Sequence, residues 1–146
     1  MASLRKASSY SKKYARPYTR KSAKRKRSYI KAVPANKLVK YNMGDKKAFN
    51  TGEHKFIVKL VAAEHAQMRD NSLESCRTTI NKSMDKEAPG MYYFVIKVYP
   101  HHILRDNKTA AGAGADRLSS GMSHSFGTTM GRAALIKPGK DVFFLS

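Results

Sequence analysis

No acidic residue precedes Asp45 in this 146-residue chain, yet 16 Lys and Arg fall within the first 50 positions, giving that stretch a net charge of +15. Residues 51–146 carry 13 Lys and Arg against 9 acids, a net of +4. A surplus this lopsided destabilises a compact state through self-repulsion unless a polyanion matches it or water disperses it. Nucleic acid is therefore the first candidate partner and an anionic membrane surface the second. The pattern predicts a polycationic arm over residues 1–50 and a nearly balanced body over residues 51–146. With 41% hydrophobic residues the chain is too apolar to be wholly disordered, and its charge is too high for an ordinary small enzyme. The length fits one domain.

The arm interleaves its charges with Tyr10, Tyr14, Tyr18 and Tyr29. Lys and Arg neutralise phosphates, and a flat tyrosine ring can stack on an exposed base. Lys24-Arg25-Lys26-Arg27 is its densest point; alone, four such residues would fit a solvated tail or a localisation signal better, but a whole arm with one acid in fifty residues points to a polyanion. A single cysteine, Cys76, excludes an internal disulfide framework and a multi-cysteine zinc site. No stretch approaches the roughly 18 consecutive apolar residues of a membrane span. The basic N-terminus has no apolar run behind it, so it does not read as a secretory signal.

Beyond the arm, periodicity assigns elements. Phe56-Ile57-Val58-Lys59-Leu60-Val61 is rich in β-branched residues and predicts a mostly buried strand. Asn71 is placed as a helix N-cap with Glu74 three residues on. Leu73, Cys76, Ile80 and Met84 then share one helical face, which makes Cys76 an inert core thiol, and Pro89-Gly90 ends the helix. Met91 to Tyr99 predicts a second strand that stops at Pro100. Residues 105–116 read as a Gly-rich loop, followed by a short helix from about Asp116 to Phe126. Ala133–Ile136 and Val142–Leu145 read as a hairpin turning through Pro138-Gly139. Strands and helices mix without regular βαβ alternation, so the expected class is α+β.

Candidate chemistry is sparse. Gly112-Ala113-Gly114-Ala115-Asp116 lacks the third glycine of a dinucleotide fingerprint, where Arg117 stands, and lacks the Gly-Lys-Ser/Thr of a P-loop. The alternatives are a loop whose glycines let backbone approach an RNA surface, or a plain connector. His101-His102 cannot easily reach one metal, because neighbours on a strand point to opposite faces. Asp106 and Asp116 each have a basic neighbour, which argues against the raised pKa of a general acid. Arg105, Lys108 and Arg117 bracket the loop in a pattern that suits phosphates. No catalytic group, metal site or cofactor is expected.

Tyr99-Pro100-His101-His102-Ile103-Leu104-Arg105, then Ala111-Gly112-Ala113-Gly114-Ala115-Asp116-Arg117-Leu118-Ser119-Ser120-Gly121-Met122, then Phe126-Gly127, resembles the signature of a ribosomal protein family. The family is the universal sixteenth of the large subunit, in its archaeal form. Arg16-Pro17-Tyr18-Thr19-Arg20, Val33-Pro34, Met43-Gly44, Gln67-Met68-Arg69 and Leu73-Glu74 also match. The likeness spans residues 16 to 145, and Gly112 to Met122 is its most specific stretch.

The resemblance implies an α/β-hammerhead-like single domain with an extended basic N-terminal arm, set in large-subunit rRNA of the cytoplasmic ribosome. It implies that Arg16, Tyr18, Arg20 and Lys21, with Lys24, Arg25, Lys26 and Arg27, wedge between rRNA helices. Arg69, His101, His102 and Arg105 would be RNA-facing. The loop with Lys108, Gly112, Gly114 and Asp116, and Arg117 beyond it, would reach toward the peptidyl transferase centre near tRNA acceptor ends. Implied partners are large-subunit rRNA, tRNA acceptor ends, neighbouring large-subunit proteins and assembly factors, with docking late in assembly and no membrane. Relatives continue past the last strand with a further helix and strand, whereas this sequence stops at Ser146, leaving a short, truncated or divergent end as the alternatives. A basic insertion around Ser22–Arg27 departs from the family pattern and is read as extra rRNA contact. Two other classes compete: a free-standing basic RNA-binding or RNA-chaperone module, and an enzyme acting on RNA, which would need an acid–base or metal constellation that the sequence does not display.

Overall fold

A computed structural model describes residues 16–19, 22–28, 30–106 and 127–146. Its centre is set by Tyr93-Phe94-Val95-Ile96, all four of whose side chains are buried, so this strand must be covered on both faces. Among the described residues there are seven strands and two α-helices: β1 (Asn42–Gly44), α1 (Lys46–Thr51), β2 (Val58–Val61), β3 (Ala66–Arg69), α2 (Asp70–Glu87), β4 (Tyr93–Ile96), β5 (His102–Asp106), β6 (Thr128–Ile136) and β7 (Asp141–Leu145). A 3-10 turn precedes them at Arg25–Arg27. One sheet runs β1-β4-β7-β2 and the other β3-β6-β5, every pair antiparallel. Helix and antiparallel sheet in a single domain make the class α+β, as the patterning predicts.

Phe94 and Ile96 of β4 enter the main core with Leu73 of α2, Ala134 and Ile136 of β6, and Phe143 of β7. Cys76, Ile80 and Met84 pack against this cluster half-buried, so the predicted apolar stripe of α2 is the face that seals it. Leu73 and Phe94 are essentially inaccessible, and each such burial is worth about 1.5–3 kcal/mol. The opposite face of β4 carries Tyr93 and Val95, which meet Phe144 and Phe49 of α1; the Phe49 ring stacks on Tyr93 at 5.1 Å. Asp45 fixes the start of α1 by accepting from Lys47 N and Ala48 N at 2.7 and 3.1 Å, and these bonds hold its carboxyl below the usual range. Gly44, at φ +82°, must be glycine, because a Cβ there would lie 2.0 Å from the Tyr92 carbonyl oxygen.

Four expectations change. The hairpin is not one: β6 and β7 belong to different sheets. The Pro138-Gly139 turn hands the chain across, pairing instead with the segment after β2 through Gly139 N to Ala62 O and Ala62 N to Lys140 O. The strand expected over Phe56–Val61 is confined to Val58–Val61 and is exposed rather than buried, with Phe56 before it at 82% and Leu60 at 55% exposure, because β2 lies at the edge of its sheet. Helix α2 begins at Asp70, so Asn71 sits inside its first turn and is no cap. Asp70 Oδ1 instead accepts from Asn71 N at 2.9 Å. The strand expected over Met91–Tyr99 is confined to Tyr93–Ile96, with Met91 77% exposed. The short helix expected at Asp116–Phe126 lies outside the described residues.

The body also takes up residues that charge alone assigns to the arm. Ile30, Leu38 and Met43 are buried, and β1 pairs with β4. Acidic groups at the start of α2 catch this segment by its amides: Lys37 N donates to Asp70 Oδ2 and Val39 N to Glu74 Oε2, each at 3.1 Å.

Candidate nucleic-acid interface

β5 is the outer strand of its sheet, and an unpaired strand edge must be covered or blunted. Tyr18 covers it. Ile103 N donates to Tyr18 O, and Tyr18 N donates to His102 Nδ1, both at 2.8 Å. A register shift between Leu104 and Arg105 re-aims the end of β5, and the Arg105 guanidinium lies 3.5 Å from the centre of the Tyr18 ring. The Tyr18 backbone and ring are therefore both engaged by β5.

His102 is buried, only 2% exposed, and burial, with the nearby Arg105 charge, pushes its pKa down to about 4. The imidazole is thus neutral at physiological pH, with Nδ1 free of a proton to accept the Tyr18 amide. Farther along, Thr129 Oγ1 donates to Ala32 O at 2.9 Å and Arg132 Nε to Pro34 O at 2.7 Å, tying the basic segment to β6. Ser28 is buried, donating to Ile30 O at 3.1 Å.

Cations stand outside this seam. Arg16, Lys24, Lys26 and Arg27 are exposed. Arg25 contributes backbone to the 3-10 turn, which closes through Arg27 N to Lys24 O at 3.0 Å. Lys31 Nζ reaches Lys26 O at 3.0 Å. Arg69 is half-buried at the junction of β3 and α2, and exposed His101 precedes β5. The structure thus brings Tyr18, His102 and Arg105 together and sets Arg69 on another strand. Arg20, Lys21, Lys108, Gly112, Gly114, Asp116 and Arg117 lie outside the described residues.

Sequence reasoning missed Arg132, which ties Pro34 and, at 3.4 Å, the Tyr99 hydroxyl. Its one visible signal was position: it is the sole charge between Gly127 and Ile136. Elsewhere, an open groove of about 390 Å³ beside α2 is lined by Lys40, Asn42, Arg77, Asn81, Asp85 and Tyr92. Several of its polar groups are already engaged. Arg77 forks onto Glu74 at 2.6 and 2.9 Å, and burial, together with the hydrogen bond it donates to Asp85, pushes the Tyr92 phenol up to about 12. Among the described residues no group of three or more His, Cys, Asp or Glu is placed to hold a metal ion, and no helix is long and apolar enough to cross a membrane.

An α+β body with a strongly basic segment strapped across one sheet defines a basic scaffold protein. Residues 16–146 match the family described as Ribosomal protein L16p/L10e, and the chain belongs to that family. It is similar to the large ribosomal subunit protein uL16 of Archaeoglobus fulgidus, 41% identical over 87% of this chain and 68% of that protein. The same-named proteins of Staphylothermus marinus and Methanococcus maripaludis are 42% and 44% identical, each over 95% of this chain and 75% of the relative. The chain therefore spans about two thirds to three quarters of these relatives' length. It is a large-subunit ribosomal protein of archaeal type, a structural component of the cytoplasmic ribosome rather than an enzyme.

Proposed function

We propose that this chain binds large-subunit rRNA through its basic N-terminal segment and the sheet beneath it, and helps shape the tRNA-binding region near the peptidyl transferase centre. The observation that carries the reading is the strapping of that segment: Tyr18 is locked onto β5 and Pro34 onto β6, while Arg16, Lys24, Lys26 and Arg27 stay exposed. Cations on a pinned backbone meet phosphates at lower ordering cost than cations on a free tail. The body then supplies the shape, read as an α/β-hammerhead-like domain, and residues 1–50 supply the charge, with Arg20, Lys21 and Arg25 adding to the arm. Arg69 and His101 serve as further RNA contacts. His102 acts from within by holding Tyr18, and Arg105 by covering its ring.

The Gly-rich loop within 105–116, with Lys108, Gly112, Gly114 and Asp116, and Arg117 beyond it, faces tRNA acceptor ends in this reading. Neighbouring large-subunit proteins and assembly factors complete the surroundings. Probing for the chain in large subunits after a high-salt wash tests the proposal. Stable co-sedimentation is expected, and a chain that washes off and binds unrelated RNAs equally would be a free RNA chaperone instead. Replacing Gly112 and Gly114 by Val should leave subunit binding intact and impair tRNA accommodation; normal translation by such subunits would remove the loop from the tRNA path.

A further inference from the structure

Three aromatic rings form a ladder beside Arg132. Tyr41 and Tyr99 stack at 5.5 Å with planes 17° apart, and His101 follows Tyr99 at 4.4 Å, tilted by 46°. The ladder is held from several sides. Asn36 Nδ2 donates to the Tyr41 hydroxyl at 2.7 Å, His101 N donates to Tyr99 O at 2.9 Å, and Arg132 Nη1 reaches the Tyr99 hydroxyl at 3.4 Å. Yet it opens outward: Tyr99 is 42% exposed and His101 is exposed, whereas Val98 and Pro100 beside them are buried. A rigid aromatic surface facing water forgoes the burial that its neighbours take.

Its electrical setting is one-sided. The ladder and its supports come from residues 30–44, 88–105 and 127–140, none of which contains an Asp or Glu. The carboxylate that acts on Tyr41 through space, Asp70, is buried and accepts the Lys37 and Asn71 amides. Arg132 Nε is taken by the Pro34 carbonyl and Nη1 by the Tyr99 hydroxyl, while Nη2 makes no hydrogen bond with the described residues.

We propose that Tyr99 and His101 form a stacking shelf for one unpaired nucleobase of RNA, with Arg132 at its edge to meet the adjoining phosphate. Flat rings beside a cation suit a splayed-out base, which stacks on aromatic side chains; a paired base inside a helix offers no free face. The proposal rests on the rRNA-binding reading and adds to it a particular nucleotide conformation. The test uses the full chain and an RNA hairpin carrying one bulged 2-aminopurine, whose fluorescence is quenched on stacking, with a fully paired hairpin as control. Quenching is expected with the bulged probe. Tyr99→Leu and His101→Leu should each weaken that binding about tenfold, the scale of one base on one ring, while Tyr99→Phe retains it. Unchanged quenching in both Leu variants overturns the shelf, as does an equal loss on the paired control, which would mark a general charge effect. Ultraviolet crosslinking of Tyr99 in purified large subunits to protein in place of RNA also overturns it, in favour of a protein-docking face. Co-sedimentation measured in parallel separates the two claims: a chain that stays on large subunits but fails these tests loses only the shelf.

Discussion

His102 makes the docking of the basic segment dependent on pH. In the folded chain its pKa is about 4, against an ordinary 6.5, so folding favours the neutral ring. The resulting stabilisation is complete above pH 6.5 and is lost as pH falls toward 4, because the unfolded chain takes up the proton first. A gap of this size is worth about 3 kcal/mol in full, of which about 2 kcal/mol is gone by pH 5. Carboxylates confound this window little, since their ordinary values lie near about 4. The perturbation is His102→Asn, whose Oδ1 can accept the Tyr18 amide in place of Nδ1 and does not titrate. Denaturant unfolding at about pH 7.5 and pH 5 should show the parent chain losing about 2 kcal/mol more than the variant. A constant offset from the smaller side chain is expected at both values and cancels in the comparison. Parallel losses in the two chains would refute the reasoning, because His102 would then share one pKa in both states.

Other perturbations follow from the same geometry. Asp70→Ala strands the Lys37 and Asn71 amides and should cost about 2–3 kcal/mol in denaturant unfolding; a loss below about 0.5 kcal/mol would mean that water replaces the carboxylate. Gly44→Ala places a Cβ against the Tyr92 carbonyl at positive φ and should cost more than about 2 kcal/mol, with a thermal shift too small to measure as the contrary result. Leu60→Lys on β2 should reduce light scattering of the isolated chain while changing stability by less than about 0.5 kcal/mol; unchanged scattering would clear the edge of blame. Converting Arg16, Lys24, Lys26 and Arg27 to Ala should flatten the salt dependence of RNA binding by about 0.7–0.9 in log–log slope per lost phosphate contact, and an unchanged slope would remove the segment from the interface.

Helix α2 was legible because four apolar residues at helical spacing serve one physical purpose, sealing the core. The central strand was legible for the same reason, although its length was not: strand pairing, invisible in one sequence, ends with the Lys97 amide donating to Val142 O. Apolar residues at Phe56–Val61 misled, since β-propensity reports fitness for a sheet and not the place within it. The turn at Pro138-Gly139 misled likewise, since a turn fixes a change of direction without naming the strand's next neighbour. Asn71 has the chemistry of a cap but sits inside the first turn, because the helix starts one residue earlier at Asp70, whose tertiary partner, the Lys37 amide, lies 33 residues away along the chain. Of the interface, the charge was plain and the scaffolding was not. Tyr18 and His102 meet across 84 residues, and no spacing rule links them.

The position of β7 governs the order in which the molecule can be completed during its own synthesis. It lies between β4 and β2, yet it is the last strand of the described chain to be made. Until residues 141–145 emerge, half of that sheet has an empty middle, and two apolar strands wait with open edges. A newborn chain of this kind is at its stickiest just before β7 emerges, when a highly cationic segment already made can be seized by any passing RNA. Shielding both segments at once, the charged one from stray nucleic acid and the apolar one from other chains, is a requirement written into the strand order itself.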